Sequence, residues 1–269
     1  MKMKTKRQAK VFVVANQKGG VGKSTTACHG GFYLGEKTVI DPDTNEERGA
    51  EVAFINAEIQ RNSSNTMKKH HGVANVNALA FFQPELFEVV KTGPITHYEG
   101  GPFMADIGRE QMGYFKQHIE RISPEYDYIV IDTPPSAGVL QVSALMVADY
   151  VLSPIEMDAY SLDGVVDMLK TIMGVKQRYN PKLEFLGMLP SRLQNTSPRQ
   201  RAALASLLMN YSKYVFGGVE SGFKVSVRQA IPEALEEGVP VWRLKSSGAK
   251  DAGIEMLAIM QALDEKMGG

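Results

Sequence analysis

The 269-residue sequence lacks the features that several large classes of protein require. It contains one cysteine, Cys28, which excludes a disulfide within the chain, a cysteine-ligated zinc site and an iron–sulfur cluster held by one copy. No apolar run approaches the roughly 20 residues of a membrane-spanning helix. The apolar run at residues 11–15, behind the basic N-terminus, is too short for the core of a signal peptide. We therefore expect a protein of the reducing cytoplasm.

An excess of charge of one sign is also missing, because Lys and Arg total 30 and Asp and Glu total 30. Bulk charge therefore predicts no attraction to nucleic acid or membrane, and any such attraction must come from local clusters. The N-terminal cluster of Lys2, Lys4, Lys6 and Arg7 is expected to belong to a disordered tail over residues 1–9.

Short apolar runs alternate with helical patterns, which predicts an α/β fold with a mostly parallel, twisted sheet and helices on both faces. The predicted strands are 11–15, 52–55, 128–131, 150–152 and 185–189. A first helix is predicted from residue 23 to residue 35. Other predicted helices carry apolar stripes, namely Met112, Phe115, Ile119 and Ile122; Leu162, Val165, Val166, Leu169 and Met173; and Met256, Met260, Leu263 and Met267.

Two regions interrupt this pattern. Residues 36–50 contain a turn-forming cluster, Asp-Pro-Asp-Thr-Asn at 41–45, and are predicted to be an inserted hairpin or loop. Residues 61–105 show weak periodicity, and we predict no regular element there. The Lys-Lys-His-His segment at 68–71 is interpreted as an exposed loop and not as a metal site. Without repeats or long linkers, a single domain over residues 1–269 is the simplest interpretation.

The strongest local motif is the glycine-rich segment 17–26, Gln-Lys-Gly-Gly-Val-Gly-Lys-Ser-Thr-Thr, which joins a predicted strand to a predicted helix. Its glycines allow backbone N–H groups to curl around phosphate oxygens, and the helix adds its positive N-terminal end. Lys23 can reach the β- and γ-phosphates, and the Ser24 hydroxyl can ligate Mg²⁺. The predicted nucleotide-binding residues are Lys18, Gly19, Gly20, Val21, Gly22, Lys23, Ser24 and Thr25.

This loop departs from the usual Walker A pattern, since Gln17 replaces the first glycine and a second lysine, Lys18, lies inside it. Residues 18–24 resemble the deviant Walker A signature of the ParA/MinD superfamily, and residues 15–27 are similar to the ParA partition ATPases in particular. The resemblance implies a P-loop NTPase fold that uses ATP and Mg²⁺. It also implies that Lys18 reaches across a face-to-face homodimer to the partner's nucleotide. A second phosphate contact within the same chain is the alternative.

Asp132 ends the predicted strand 128–131 and is followed by Thr-Pro-Pro-Ser. Ligands of open α/β sheets bind at the carboxyl edge of the strands, where a carboxylate can hold Mg²⁺ directly or through water. Residues 126–136 resemble the Walker B and switch region of the family. We therefore predict that Ser24 and Asp132 hold the metal. Residues 153–164 resemble the family segment that enters a helix near the dimer face.

Residues 52–60 resemble the second strand of the family, which usually carries Asp-x-Asp-Pro-Gln. The second Asp is linked there to water positioning and hydrolysis, whereas this chain has Asn56 and Glu58. Asn cannot act as a base, and Glu extends the carboxylate by one methylene, so we expect slow hydrolysis. Lys18, Lys23 and Glu58 are the predicted catalytic residues. A charged strand-end residue without a catalytic role is the alternative for Glu58.

Basic residues are concentrated in the C-terminal half, where no acidic residue lies between Glu184 and Glu220. Such clusters bind phosphates without reading sequence, and the ParA resemblance implies non-specific DNA binding by an ATP-bound dimer. The predicted DNA-binding residues are Arg192, Arg199, Arg201, Arg228, Arg243 and Lys245. A solvated basic face is the alternative.

The resemblance implies an ATPase of plasmid or chromosome partition, associated with the nucleoid, whose DNA-bound dimer is released when a ParB-like centromere-binding partner stimulates hydrolysis. Because the loop lies so near the N-terminus, we expect no preceding helix-turn-helix extension. The alternatives are a conjugation or plasmid-stability accessory ATPase and an adaptor that binds ATP but hydrolyses it weakly. A MinD-like membrane ATPase is disfavoured, since the last predicted helix is net acidic. An iron–sulfur reductase is disfavoured by the position of Cys28.

Overall fold

A computed structural model of the chain describes residues 8–70, 77–91, 93–157, 161–194 and 196–268. The strands are β1 (Lys10–Val14), β2 (Thr38–Ile40), β3 (Glu47–Gly49), β4 (Val52–Asn56), β5 (Ile95–Tyr98), β6 (Tyr128–Asp132), β7 (Tyr150–Glu156) and β8 (Glu184–Ser191). The α-helices are α1 (Lys23–Gly35), α2 (Asn62–His70), α3 (Met112–Ile122), α4 (Val139–Val147), α5 (Ser161–Arg178), α6 (Pro198–Tyr211), α7 (Ala230–Glu237) and α8 (Ala249–Lys266). The predicted strands and the predicted first helix all form.

The main sheet has six strands in the order β5-β4-β6-β1-β7-β8, and all neighbouring pairs are parallel. Side chains alternate between two apolar cores, with Val13 in one and Phe12 in the other. All residues of β4 and β6 are buried, so both faces of the central sheet are covered. The predicted α/β class is confirmed. Because the strands are parallel, Asn56 and Asp132 lie side by side at the carboxyl edge.

The apolar stripes predicted for α3 and α8 face the cores, but the stripe predicted for α5 is displaced. The buried residues of α5 include Val165, Met168 and Ile172, whereas the predicted member Val166 is 37% exposed. The predicted member Leu162 lies outside the side chains that the structure describes. Apolar residues flank the true stripe on both sides, so periodicity alone did not fix its centre.

The insertion predicted at residues 36–50 is a two-stranded antiparallel hairpin formed by β2 and β3. Arg48 fixes this hairpin to the amino-terminal edge of the main sheet. Its Nη1 and Nη2 donate to the two carboxylate oxygens of Asp127 at 2.8 and 2.9 Å, and its Nε donates to Asp41 at 2.9 Å. Charge-assisted hydrogen bonds between guanidinium and carboxylate groups thus hold this junction.

The prediction that residues 61–105 contain no regular element is wrong, because α2 and β5 lie there. β5 reads Ile-Thr-His-Tyr, and its Thr96 and His97 are each 1% exposed. α2 likewise buries Ser63, Ser64 and Thr66. Periodicity methods detect apolar residues that alternate with polar ones, so elements that bury polar side chains escape them.

The interpretation of residues 68–71 as an exposed loop is also wrong for residues 68–70, which end α2; His71 lies outside the described residues. Lys68 pairs with Glu99 at 2.6 Å, and the His70 Nδ1 lies 2.9 Å from the carbonyl oxygen of Gly238. Within the described part of the chain, no group of three or more His, Cys, Asp or Glu side chains could hold a metal ion.

The described residues begin at residue 8, within the predicted tail. Residues 1–7, which include the basic cluster, lie outside the described residues, but Ala9 is 3% exposed and its N–H donates to the Ser123 hydroxyl at 2.8 Å. The tail prediction is therefore wrong at residue 9. Among the described residues, no helix is long and apolar enough to cross a membrane.

Candidate nucleotide-binding site

The glycine-rich loop connects β1 to α1 at the carboxyl edge of the sheet. Gly20 and Gly22 have backbone φ angles of 75° and 94°, which residues other than glycine rarely adopt. A Cβ on Gly22 would also lie 2.7 Å from the Ser191 hydroxyl. Asn16 anchors the start of the loop, since its Nδ2 donates to the carbonyl of Pro154 at 2.8 Å and its Oδ1 accepts from Lys18 N at 2.9 Å. The backbone cradle is thus already formed.

The two lysines of the loop occupy different environments. Lys23 is 6% exposed, and its Nζ donates to the carbonyl of Lys18 at 2.8 Å. Burial lowers the pKa of Lys23, while Asp132 and Glu58 raise it. The Lys18 side chain is 44% exposed, and its Nζ lies 3.4 Å from Glu156 Oε2. Lys23 therefore lies within the cradle, whereas Lys18 lies at its rim.

Asp132 ends β6 at the centre of the sheet, between β1 and β4. It is fully buried, and neither carboxylate oxygen has a hydrogen-bond partner among the described residues. Burial raises the pKa of Asp132, while the nearby Ser63 and Ser24 hydroxyls and the Lys23 ammonium oppose this rise. Buried carboxylate oxygens without partners call for an explanation, and a hard cation with oxygen ligands supplies one. The donor set of Ser24 and Asp132 thus fits Mg²⁺.

Glu58 enters the same site from the end of β4. It is 5% exposed, and its Oε2 accepts a hydrogen bond from the Ser24 hydroxyl at 3.5 Å. Burial and, secondarily, Asp132 raise the pKa of Glu58 to about 7, against the opposing influence of Lys23 and Ser24. The structure therefore places the carboxylate predicted to be catalytic next to the predicted metal ligands. Its neighbour Asn56 is fully buried and points away from solvent.

A cavity of about 620 Å³ is lined by Lys23, Ser24 and Glu58 and is large enough for a nucleotide. Its far wall comes from residues that sequence reasoning missed, including Ser226, Ile231 and Pro232. Glu255 of α8 holds this wall, since its carboxylate accepts from the Ser226 N–H at 2.6 Å and from the Ser226 hydroxyl at 2.8 Å. These residues lie about 200 positions from the loop in sequence, so no local motif indicates that they meet it.

The six residues predicted to bind DNA fall into different environments. The Nη1 of Arg192 donates to the carbonyl of Gly20 at 3.0 Å, and Arg228 lines the nucleotide cavity. The Nε of Arg243 donates to Glu36 at 3.0 Å. The remaining three residues are exposed, namely Arg199, Arg201 and Lys245. Arg192 and Arg228 therefore lie beside the nucleotide cavity.

Comparison with known proteins adds an independent line of support. Residues 9–185 match the sequence model of a family described as an AAA domain. The chain is 35% identical over 278 residues to protein IncC of Escherichia coli, covering 96% of this chain and 70% of IncC. It is 28% identical over 213 residues to the chromosome partitioning protein ParA of Myxococcus xanthus, covering 77% of this chain and 73% of that protein.

The fold has a clear counterpart among solved structures. An ATP complex of McdA from Cyanothece superposes with a TM-score of 0.77 at 19% identity, and the match covers 96% of this chain and 97% of McdA. The family match spans both the phosphate loop and Asp132, which the fold brings to one edge of the sheet. The chain therefore belongs to the ParA-type partition ATPases, whose ATPase function serves DNA segregation.

Proposed function

We propose that ATP joins two copies of this chain face to face, that the pair binds DNA non-specifically, and that hydrolysis stimulated by a ParB-like partner releases it. The observation that carries this proposal is the position of Lys18 at the rim of the cradle, 44% exposed and 3.4 Å from Glu156. A lysine at the rim can reach a nucleotide bound by a second copy. Lys23, buried within the loop, serves the nucleotide of its own chain.

Each residue of the site has a distinct task in this proposal. The loop amides and Lys23 bind the phosphates, and Lys23 exchanges its bond to the Lys18 carbonyl for one to a phosphate oxygen. Ser24 and Asp132 would hold Mg²⁺, which neutralises phosphate charge when bound. Glu58 orients the attacking water. Its carboxylate and that of Asp132 are held in a buried site, where such groups act more strongly than in water.

The DNA-binding part of the proposal is supported by the exposed basic residues of the C-terminal half. Arg199 and Arg201 lie in the first turns of α6, and Lys245 precedes α8. Clustered cations of this kind bind phosphates in a salt-dependent way. Arg192 and Arg228 line the cavity and would couple the state of the nucleotide to this surface.

Sedimentation velocity with a non-hydrolysable ATP analogue and Mg²⁺ tests the dimer. We expect the parent to dimerise and Lys18→Ala to remain monomeric while it binds the analogue as the parent does in calorimetry. Lys23→Ala should lose at least about tenfold in nucleotide affinity, because a charge-assisted phosphate contact is removed. Lys170→Ala is the matched control, since Lys170 is an exposed lysine that pairs with Asp167 within α5.

Dimerisation and ATP turnover of Lys18→Ala at the parent's level would contradict the assignment of Lys18 to the nucleotide of the second copy. Turnover with and without DNA separates the proposed switch from an adaptor that binds ATP but hardly hydrolyses it, because only the switch couples hydrolysis to its partners. The slow rate expected from Glu58 is measured in the same assay.

A further inference from the structure

A buried polar chain of contacts links the nucleotide site to the edge strand of the sheet. Asn56 Oδ1 accepts from the Glu58 N–H at 2.8 Å, and Asn56 Nδ2 donates to the Ser64 hydroxyl at 2.8 Å. Ser64 also accepts from Gly100 N at 3.2 Å and lies 3.2 Å from His97 Nε2. Asn56 and Ser64 are fully buried, and His97 is 1% exposed.

The proton count fixes the direction of each bond. A hydroxyl has one proton and two acceptor sites, and both acceptor sites of Ser64 are taken by Asn56 and Gly100. The Ser64 proton is therefore donated to His97 Nε2, which requires a neutral ring with its proton on Nδ1, a buried atom that has no hydrogen-bond partner among the described residues. Burial lowers the pKa of His97 to about 4, which agrees with a neutral ring near pH 7.

We propose that Asn56, Ser64 and His97 form a positioning relay that fixes the backbone at Glu58 and so holds its carboxylate beside Ser24. The inference rests on the proposed role of Glu58 in hydrolysis. Because the Glu58 N–H can only donate, the oxygen of Asn56 and not its NH₂ group faces it, and the NH₂ group then donates to Ser64. Asn also avoids a third buried carboxylate next to Asp132 and Glu58.

The relay gives a physical reason for Asn at position 56. An Asp there would accept from the Glu58 N–H but would draw the Ser64 proton to its second oxygen. His97 Nε2 would then lose its donor inside the protein, and an unpaired buried acceptor is costly. Asn56, Ser64 and His97 are thus mutually dependent, and they act on the reaction through Glu58 without touching the nucleotide loop.

Hydrogen exchange of the Glu58 amide, followed by NMR on the full chain without nucleotide, tests the geometry. We expect Ser64→Ala to accelerate exchange at Glu58 while amides of β6 keep their protection. Thr96→Val is the matched control, because Thr96 is the neighbouring β5 residue and its hydroxyl is buried outside the relay. Unchanged protection of Glu58 in Ser64→Ala would overturn the relay, whatever the turnover.

Steady-state kinetics test the consequence. We expect Ser64→Ala to lower kcat by about 10- to 100-fold with little change in nucleotide affinity, because a small displacement of a catalytic group has this effect. In a Glu58→Gln background, Ser64→Ala should cause no further loss, since both act through one carboxylate. Multiplicative losses, or a normal kcat despite lost Glu58 protection, would overturn the positioning role.

Variants of His97 distinguish the relay from a purely structural effect. His97→Phe keeps the ring volume but removes the acceptor, and we expect it to reduce kcat in the same direction as Ser64→Ala. His97→Gln keeps an acceptor and should recover part of the loss; failure of both predictions would contradict the relay. A parent protein that does not turn over ATP would count against the proposed function, while Glu58 protection would still decide the relay.

Discussion

The buried carboxylate of Asp132 is proposed to help bind Mg²⁺ and ATP, but it should destabilise the protein when no nucleotide is bound. The replacement Asp132→Asn tests both effects. The carboxylate is fully buried and neither oxygen has a hydrogen-bond partner among the described residues. An unsatisfied buried polar group costs about 1–3 kcal/mol, and more when it is charged. The nearby Ser63 and Ser24 hydroxyls and the charge of Lys23 offset part of this cost. We therefore expect Asp132→Asn to stabilise the nucleotide-free protein by ~1–2 kcal/mol.

This gain should appear as a rise in Tm of about 2–8 °C, the range expected for a chain of this size. With Mg²⁺ and ATP the order should reverse. Ligand at about one hundred times Kd stabilises the parent by ~2.7 kcal/mol, whereas the variant lacks the metal ligand and gains little. The variant should therefore have the higher Tm without nucleotide, and the parent should have the higher Tm when Mg²⁺ and ATP are present.

Differential scanning calorimetry with and without Mg²⁺ and ATP measures both effects. Asp149→Asn is the matched control, since Asp149 precedes β7 at the opposite edge of the sheet and accepts from Val11 N at 2.8 Å, a bond that Asn can keep. Removal of Mg²⁺ with EDTA should reduce the ATP-induced rise in the parent's Tm to nearly that of the variant. A variant that melts below the parent without nucleotide, or that keeps the full nucleotide-induced shift, would refute this reasoning about Asp132.

Two further predictions concern other parts of the chain. Arg48→Ala should destabilise the protein by ~1–3 kcal/mol in urea unfolding, because it removes the charge-assisted hydrogen bonds that join the hairpin to Asp127. ATP turnover should not change, and lost turnover would contradict the structural role. Replacing both Arg199 and Arg201 with Ala should weaken DNA retention in gel shifts with the ATP analogue and reduce the salt dependence by about one counterion per lost phosphate contact. Unchanged retention would show that DNA binds at another surface. Measuring both DNA retention and, by calorimetry, nucleotide affinity in Arg228→Ala shows whether Arg228 contacts DNA or the nucleotide.

Much of the fold was predictable from local patterns. The first helix was predicted at its observed bounds, since a glycine-rich turn and the end of a strand mark its start. Strands with apolar side chains on both faces were found because burial on both sides leaves a continuous apolar run. β5 was missed for the opposite reason, because its buried Thr96 and His97 bond or pack inside the protein and give no apolar signal.

The sequence by itself determined the phosphate loop and the carboxylate that ends β6, because each is a contiguous motif whose chemistry depends on neighbours along the chain. Tertiary structure alone decided which distant residues meet them. Glu58 lies beside Ser24, Glu156 beside Lys18, and the relay from His97 reaches Glu58 only because parallel strands bring their carboxyl ends to one edge. Contacts between residues far apart in sequence leave no periodic or local signal, so folding of the whole chain is what assembles the site.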